Sequence, residues 1–257
     1  MINIIHSLIL GIVEGFTEFL PISSTAHLII ISNILRIAQS NYAKTFEIAI
    51  QSGAILAVVV LYWKRFLDWE VLKRIIIAFI PTGFLGLVFY KFVKGYLLGN
   101  TSVVLWALGL GGLFLIIFEY FFHSRGSCED IKSIGTGKLL GIGLFQSIAM
   151  IPGISRAAAT IIGGMILGIK RTTIVEFSFL LAVPTMLAAT GLDLIKNLHE
   201  FSSSQISTLA IGFVAAFIMA IISIRFLLNY IKKHSFTGFG VYRILLVVII
   251  VLFSLIK

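Results

Sequence analysis

Charge is what this chain has least of. Asp, Glu, Lys and Arg make up 12% of its 257 residues, about half the ~25% usual for a soluble domain. Hydrophobic residues reach 59% and mean hydropathy is +1.08, which excludes a soluble globular protein. Cysteine occurs once, at Cys128, so no intrachain disulfide can form. With no Cys/His cluster beside it, a thiolate zinc centre is excluded too. Proline occurs four times, at Pro21, Pro81, Pro152 and Pro184. No cleavable secretory signal is expected: Met1 to Leu10 has no basic start, and Glu14 and Glu18 soon interrupt the apolar run.

What remains is a chain of apolar runs of about 20 residues, the length of a transmembrane helix rather than of an alternating barrel strand. Six runs predict full crossings: Phe46 to Trp63, Ile75 to Tyr90, Val103 to Phe122, Ile174 to Leu194, Ile206 to Leu228 and Val241 to Ile256. Two further segments are apolar but broken, one at Pro21 and one at Pro152-Gly153. The expected fold is an all-α polytopic membrane protein, with about six transmembrane helices and two re-entrant broken-helix hairpins. His123 to Lys138 is the longest polar connection and reads as a cytoplasmic loop.

The broken segments repeat. Gly11 and Glu14, then Pro21 and Ser24, are echoed by Gly143 and Gln146, then Pro152 and Ser155. Each is followed by a helix with an early glutamate, Glu47 or Glu176. Corresponding interruptions in two halves are the mark of an inverted-topology repeat with its site between the halves. The chain is therefore expected to be one membrane domain, with halves near residues 1–122 and 138–257. Under this topology thirteen of the 20 Lys and Arg, Arg243 among them, fall on one side and six on the other, with Arg156 left over. The richer side is assigned to the cytoplasm. The net charge of +9 is thus read as membrane anchoring, not nucleic-acid binding.

Chemistry concentrates in Glu14-Gly-Phe-Thr-Glu18-Phe-Leu-Pro21-Ile-Ser23-Ser24-Thr25-Ala26-His27. On a helix Glu14 and Glu18 share a face, and like charges in low dielectric invite a cation or a shared proton. Pro21 ends that helix. Ser23, Ser24 and Thr25 suit the N-cap of the next, where free N–H groups hold anions. Arg156 lies in an apolar run after Gly153 and Ser155. A lone charge there needs a partner: either Glu14, Glu18 or Glu176 in a structural ion pair, or a phosphate gripped by the guanidinium fork, which the adjacent helix start favours. His27 reads as a structural imidazole or as a base, acid or nucleophile beside the hydroxyls. Glu47, Gln51, Gln146 and Glu176 read as residues supporting the site.

These two motifs, with Thr45-Phe-Glu47, Gln51 and Glu176-Phe-Ser-Phe-Leu-Leu-Ala-Val-Pro184, resemble those of the undecaprenyl-diphosphate phosphatase, or bacitracin-resistance, family over essentially the whole chain. The resemblance implies a multi-pass enzyme of the bacterial cell membrane, and the distribution of basic residues leads us to expect its site to open to the outer side. Such an enzyme removes the terminal phosphate of a C55 polyprenyl diphosphate, recycling the carrier for peptidoglycan synthesis. It implies an acidic pair at Glu14 and Glu18, a serine at Ser24, a histidine at His27 and a phosphate arginine at Arg156. There are two departures from the pattern: Ala26 replaces a common glycine, and Ala157-Ala158 a common Ser-Gly.

The mechanism expected from residues and resemblance together places the diphosphate on Arg156 and on Ser23, Thr25, Gly153 and Ser155. A divalent cation, Mg²⁺ or Ca²⁺, sits on Glu14 and Glu18. Ser24 is the candidate nucleophile with His27 as its proton partner, and direct attack by water is the alternative. The expected partners are the polyprenyl diphosphate and membrane lipid, with homodimerisation left open. The rival function is a polyprenyl-phosphate flippase, which the same repeats and midplane charge would suit.

Overall fold

In the computed structural model, residues 2–37, 41–97, 100–122, 130–197 and 205–255 are described. Cys128, His123 and His199 lie outside them. Among the described residues the regular structure is helical: α1 (Ile4–Thr17), α2 (Ser24–Ile34), α3 (Asn41–Leu61), α4 (Trp63–Leu67), α5 (Trp69–Phe92), α6 (Thr101–Phe121), α7 (Thr136–Ser147), α8 (Arg156–Ile166), α9 (Arg171–Asn197), α10 (Ile206–Tyr230) and α11 (Thr237–Leu255).

Five of these, α3, α5, α6, α9 and α10, are long and apolar enough to cross a membrane, and the chain is a multi-pass membrane protein. The sixth expected crossing falls on α11, which is apolar over Thr237–Phe253. At about 1.5 Å per residue that stretch spans ~25 Å, just short of the ~30 Å hydrocarbon layer. The outward faces are greasy, as lipid-facing helices must be: Phe84, Leu87, Trp106, Leu110, Leu252 and Phe253 are all exposed.

The two broken hairpins show matching backbone features at one fixed spacing, which pairs Ser155 with Ser23 and not with Ser24 as the sequence suggested. Ser23 and Ser155, the N-caps of α2 and α8, have φ of 69° and 79°. Both helices then end in the same turn: the Ile37 N–H bonds the Ser32 carbonyl where the Ile169 N–H bonds that of Gly164. Left-handed Arg36 (φ 52°) matches Gly168 (φ 77°). One local sequence pattern has been folded twice.

The direction of the halves is fixed by ion pairs gathered at one end of the bundle. Arg65, just past α3, pairs with Glu176 near the start of α9 at 3.0 Å. Arg171, opening α9, pairs at 2.7 Å with Glu119 at the end of α6, and Glu119 also accepts from the N–H of Phe236 before α11. Thus α3 and α6 finish where their counterparts α9 and α11 begin, which is inverted topology. Lys132 reaches Asp68 at 2.6 Å and holds that carboxyl below its usual range. Part of the expected cytoplasmic loop is therefore fastened down: Ile131 and Ile134 are buried, and Arg74 donates to the Lys132 carbonyl.

The halves also exchange packing partners. The first-half α1 lies along α10, and the second-half α7 along α5. Ser7, Gly11 and Gly15 form one stripe of α1 at helical spacing. Ser7 donates to the Thr208 carbonyl on α10. A Cβ on Gly11 would overlap the Gly212 carbonyl oxygen, and one on Gly143 would overlap that of Ala78 on α5. Backbone contact through small residues replaces the hydrophobic drive that lipid cannot supply. Gly143→Ala is expected to destabilise the protein by about 1–3 kcal/mol through overpacking. Thermal unfolding in detergent measures this, and an unchanged melting temperature would mean that α5 and α7 have room to part.

Candidate active site

The hairpins meet around a cavity of about 290 Å³, room for a small polar headgroup but not also for a long polyprenyl tail. Its wall includes Glu18, Ser23, Ser24 and Thr25 from the first break, Gly153, Ser155 and Arg156 from the second, and Gln51, Gln146, Thr82 and Thr185 from the helices around them.

The first arm ends at Thr17, short of Pro21, which lies in the turn that follows, and the chain re-enters a helix at Ser24. The strained φ at Ser23 and Ser155 costs of order 1–3 kcal/mol at each, and such strain gathers where geometry is set for function. Both lead directly into helix N-termini, whose first N–H groups lack partners within the helix. In α8 the Ser155 hydroxyl accepts from the Ala158 N–H at 3.2 Å, whereas Ser23 makes no such cap. Gly153 sits at φ 101° against α6, where a Cβ would crowd the Val104 carbonyl.

Arg156 spans the cavity. Its Nη2 meets Glu18 Oε1 at 3.0 Å, and its Nη1 donates to the Ser178 carbonyl at 2.8 Å. Its buried Nε has no partner, which leaves a donor for a ligand oxygen. Glu18 answers with its second oxygen, Oε2, which accepts from the Ser24 hydroxyl at 2.5 Å. Of the three carboxylates read as possible partners for Arg156, the bonded one is Glu18.

Glu14 is fully buried on α1, and neither of its oxygens meets a donor. Its charged neighbours are Glu18, Glu47 and Arg156, an arrangement that a shared proton or a cation would satisfy. Glu47 accepts from Ser32 at 2.7 Å and backs this pair from α3. An oxygen-only donor set of this kind fits a hard cation such as Mg²⁺ or Ca²⁺, although no group of three His, Cys, Asp or Glu able to hold a metal occurs among the described residues.

Two sequence-based expectations fail. His27 was expected to serve Ser24, but it faces away from the cavity. Its Nδ1 bonds the Ser23 carbonyl at 2.7 Å and its Nε2 the Tyr242 hydroxyl, also at 2.7 Å, with the two rings stacked. A carbonyl only accepts, so Nδ1 carries a proton and Nε2 accepts from tyrosine in the neutral ring. Glu176 was expected beside the site but pairs with Arg65 instead. The reason lies in the register. At the spacing that matches Ser23 with Ser155 and Ser32 with Gly164, Glu47 corresponds to Phe179 and Glu176 to Lys44. Glu176 therefore sits almost a turn early on α9, at the end where the ion pairs gather.

Gln146, the counterpart of Glu14, is a neutral hub. Its Nε2 donates to Thr82 and Thr185 at 3.0 Å each, and its Oε1 accepts from Thr160 at 3.2 Å. Thr82 and Thr185 escaped the sequence reading. A signal existed, since each directly follows a helix-internal proline, Pro81 or Pro184.

Comparison with known proteins gives a consistent result. The sequence profile of the family described as Bacitracin resistance protein BacA matches residues 7–249. A protein of Sulfurihydrogenibium sp. (strain YO3AOP1), named undecaprenyl-diphosphatase, is 52% identical over 94% of this chain and 96% of its own length. Proteins of the same name from Aquifex aeolicus and Persephonella marina are each 51% identical, over 94% and 98% of this chain and 94% and 100% of their own lengths.

Proposed function

The chain belongs to the bacitracin resistance protein BacA family, and we propose that it hydrolyses undecaprenyl diphosphate to undecaprenyl phosphate and inorganic phosphate. The observation that carries this reading is the chain of contacts Ser24–Glu18–Arg156 in the cavity wall. A hydroxyl bonded to a carboxylate is a nucleophile with its base in place, and a transporter has no need of one. The tail remains in the bilayer while the headgroup enters.

In the mechanism, the terminal phosphate binds Arg156 and the first-turn N–H groups of α2 and α8. Phosphate competes with Glu18 for the guanidinium, which frees the carboxylate to take the Ser24 proton. Ser24 Oγ then attacks the terminal phosphorus, the P–O bond to the bridging oxygen breaks, and undecaprenyl phosphate leaves. Glu18 passes its proton to the departing undecaprenyl phosphate and then takes one from a water whose oxygen attacks the phosphoserine. The P–Oγ bond breaks, Ser24 Oγ recovers a proton from Glu18, and phosphate leaves. Glu14 and Glu18 would hold a divalent cation, which would neutralise developing negative charge on the phosphates.

The basic ends of the bundle suit the cytoplasmic face of a cell membrane. The first hairpin then opens outward, so the released carrier serves cell-wall synthesis, and its recycling underlies resistance to bacitracin.

The test is phosphate release from undecaprenyl diphosphate by purified protein, with and without chelator. The expected outcome is stoichiometric release that chelator stops and added Mg²⁺ or Ca²⁺ restores. No release under any condition would remove the phosphatase reading. Full release in exhaustive chelator would remove only the cation, leaving Glu14 and Glu18 to share a proton.

A further inference from the structure

Arg243 is fully buried in α11, and no carboxylate among the described residues pairs with it. Its nitrogens instead donate to five main-chain carbonyls. Two belong to α6: Leu108 (3.0 Å, from Nε) and Ala107 (3.1 Å, from Nη2). The other three lie in the two breaks: Gly153 (2.8 Å, from Nη2), Ile154 (3.0 Å, from Nη1) and Pro21 (3.4 Å, from Nη1). One side chain thus ties together the turns that launch α2 and α8. The preceding residue, Tyr242, bonds His27, which in turn bonds the Ser23 carbonyl.

A peptide unit is planar and trans, so a carbonyl aimed at Arg243 turns the next N–H the opposite way. The Ile154 carbonyl therefore sets the direction of the Ser155 N–H, at the entry to α8. Neither Tyr242 nor Arg243 touches the cavity. Stability alone does not explain the arginine either. A buried charge satisfied only by neutral groups is costly, and apolar side chains commonly replace buried charges at no loss.

We propose that Arg243 is a positioning residue for the phosphate site, holding both breaks so that the first-turn N–H groups of α2 and α8 converge on one anion, with an unneutralised positive charge behind them. This rests on the phosphatase reading above.

The test uses Arg243→Lys and Gly111→Ala. The lysine keeps the charge but loses the fork. A Cβ on Gly111 would overlap Nη2 of Arg243, displacing the fork without removing it. For folded protein of each variant, kcat is measured together with inhibition by methylenediphosphonate, a headgroup without a tail. Both variants are expected to lower kcat and weaken inhibition about tenfold or more, the scale of one charged hydrogen bond. A purely structural arginine would change the yield of folded protein and leave both constants alone. Wild-type constants in folded Arg243→Lys would overturn the proposal. If that variant does not fold, wild-type constants in Gly111→Ala would do the same, and failure of both to fold would reduce Arg243 to a core residue. Should the wild type itself release no phosphate, it is the phosphatase reading that falls.

Discussion

Arg156→Ala is expected to lower kcat/KM by about 10³-fold or more, the scale on which arginines act in phosphoryl transfer, and Arg156→Lys is expected to recover little of it. The guanidinium serves two directions at once, Glu18 and the Ser178 carbonyl, with Nε still free. An ammonium is a single point. Truncation also strands Glu18 beside Glu14, and an unpaired buried charge costs about 3–5 kcal/mol. Stability and catalysis can therefore be pulled apart: adding Glu18→Gln to Arg156→Ala should restore the melting temperature and leave activity absent. Near wild-type turnover in Arg156→Lys would show that charge without the fork suffices.

Ser24→Ala is expected to lose about 10³-fold or more in kcat, and Glu18→Gln nearly as much, with the double variant little worse than either. Such non-additivity marks a nucleophile and base acting as one unit. His27→Ala should cost about tenfold at most, since the imidazole supplies a positioning hydrogen bond. Quenched single-turnover reactions with labelled terminal phosphate should trap label on Ser24. A mild defect in Ser24→Ala without trapped label would leave water as the nucleophile. A loss in His27→Ala matching that in Ser24→Ala, with Glu18→Gln active, would return the proton to histidine.

The breaks and the cavity residues near them were legible in the sequence because proline, serine and glycine act locally. Pro21 and Pro152 lie in the turns between helices, and the serines after them mark where α2 and α8 begin. The repeat was legible for the same reason. Residues whose roles depend on which helix face meets which neighbour were not. Arg243 resembled a membrane anchor because it lies near the start of an apolar run. Its burial follows from α11 packing against α6, a long-range fact that no local pattern carries. Removing it from the cytoplasmic tally leaves the excess on that side. His27 was misread through sequence proximity: three residues from Ser24, it is drawn off by Tyr242, 215 positions away. Glu176 was misread by analogy with Glu47, whose counterpart at the spacing of the repeat is Phe179.

A frame with near-twofold symmetry would, left to itself, treat the two senses of an entering molecule alike. Here the matched positions hold unlike residues: Glu14 opposite Gln146, and Ser24 opposite Arg156. The cavity is therefore chemically unequal, with a hydroxyl from one break and a guanidinium from the other. A headgroup presented the wrong way round would set its inner phosphate on Arg156 and leave its terminal phosphorus out of reach of the Ser24 hydroxyl. Only one sense of entry brings phosphorus to hydroxyl, so divergence of the two copies at these positions gives a symmetric cleft a front and a back.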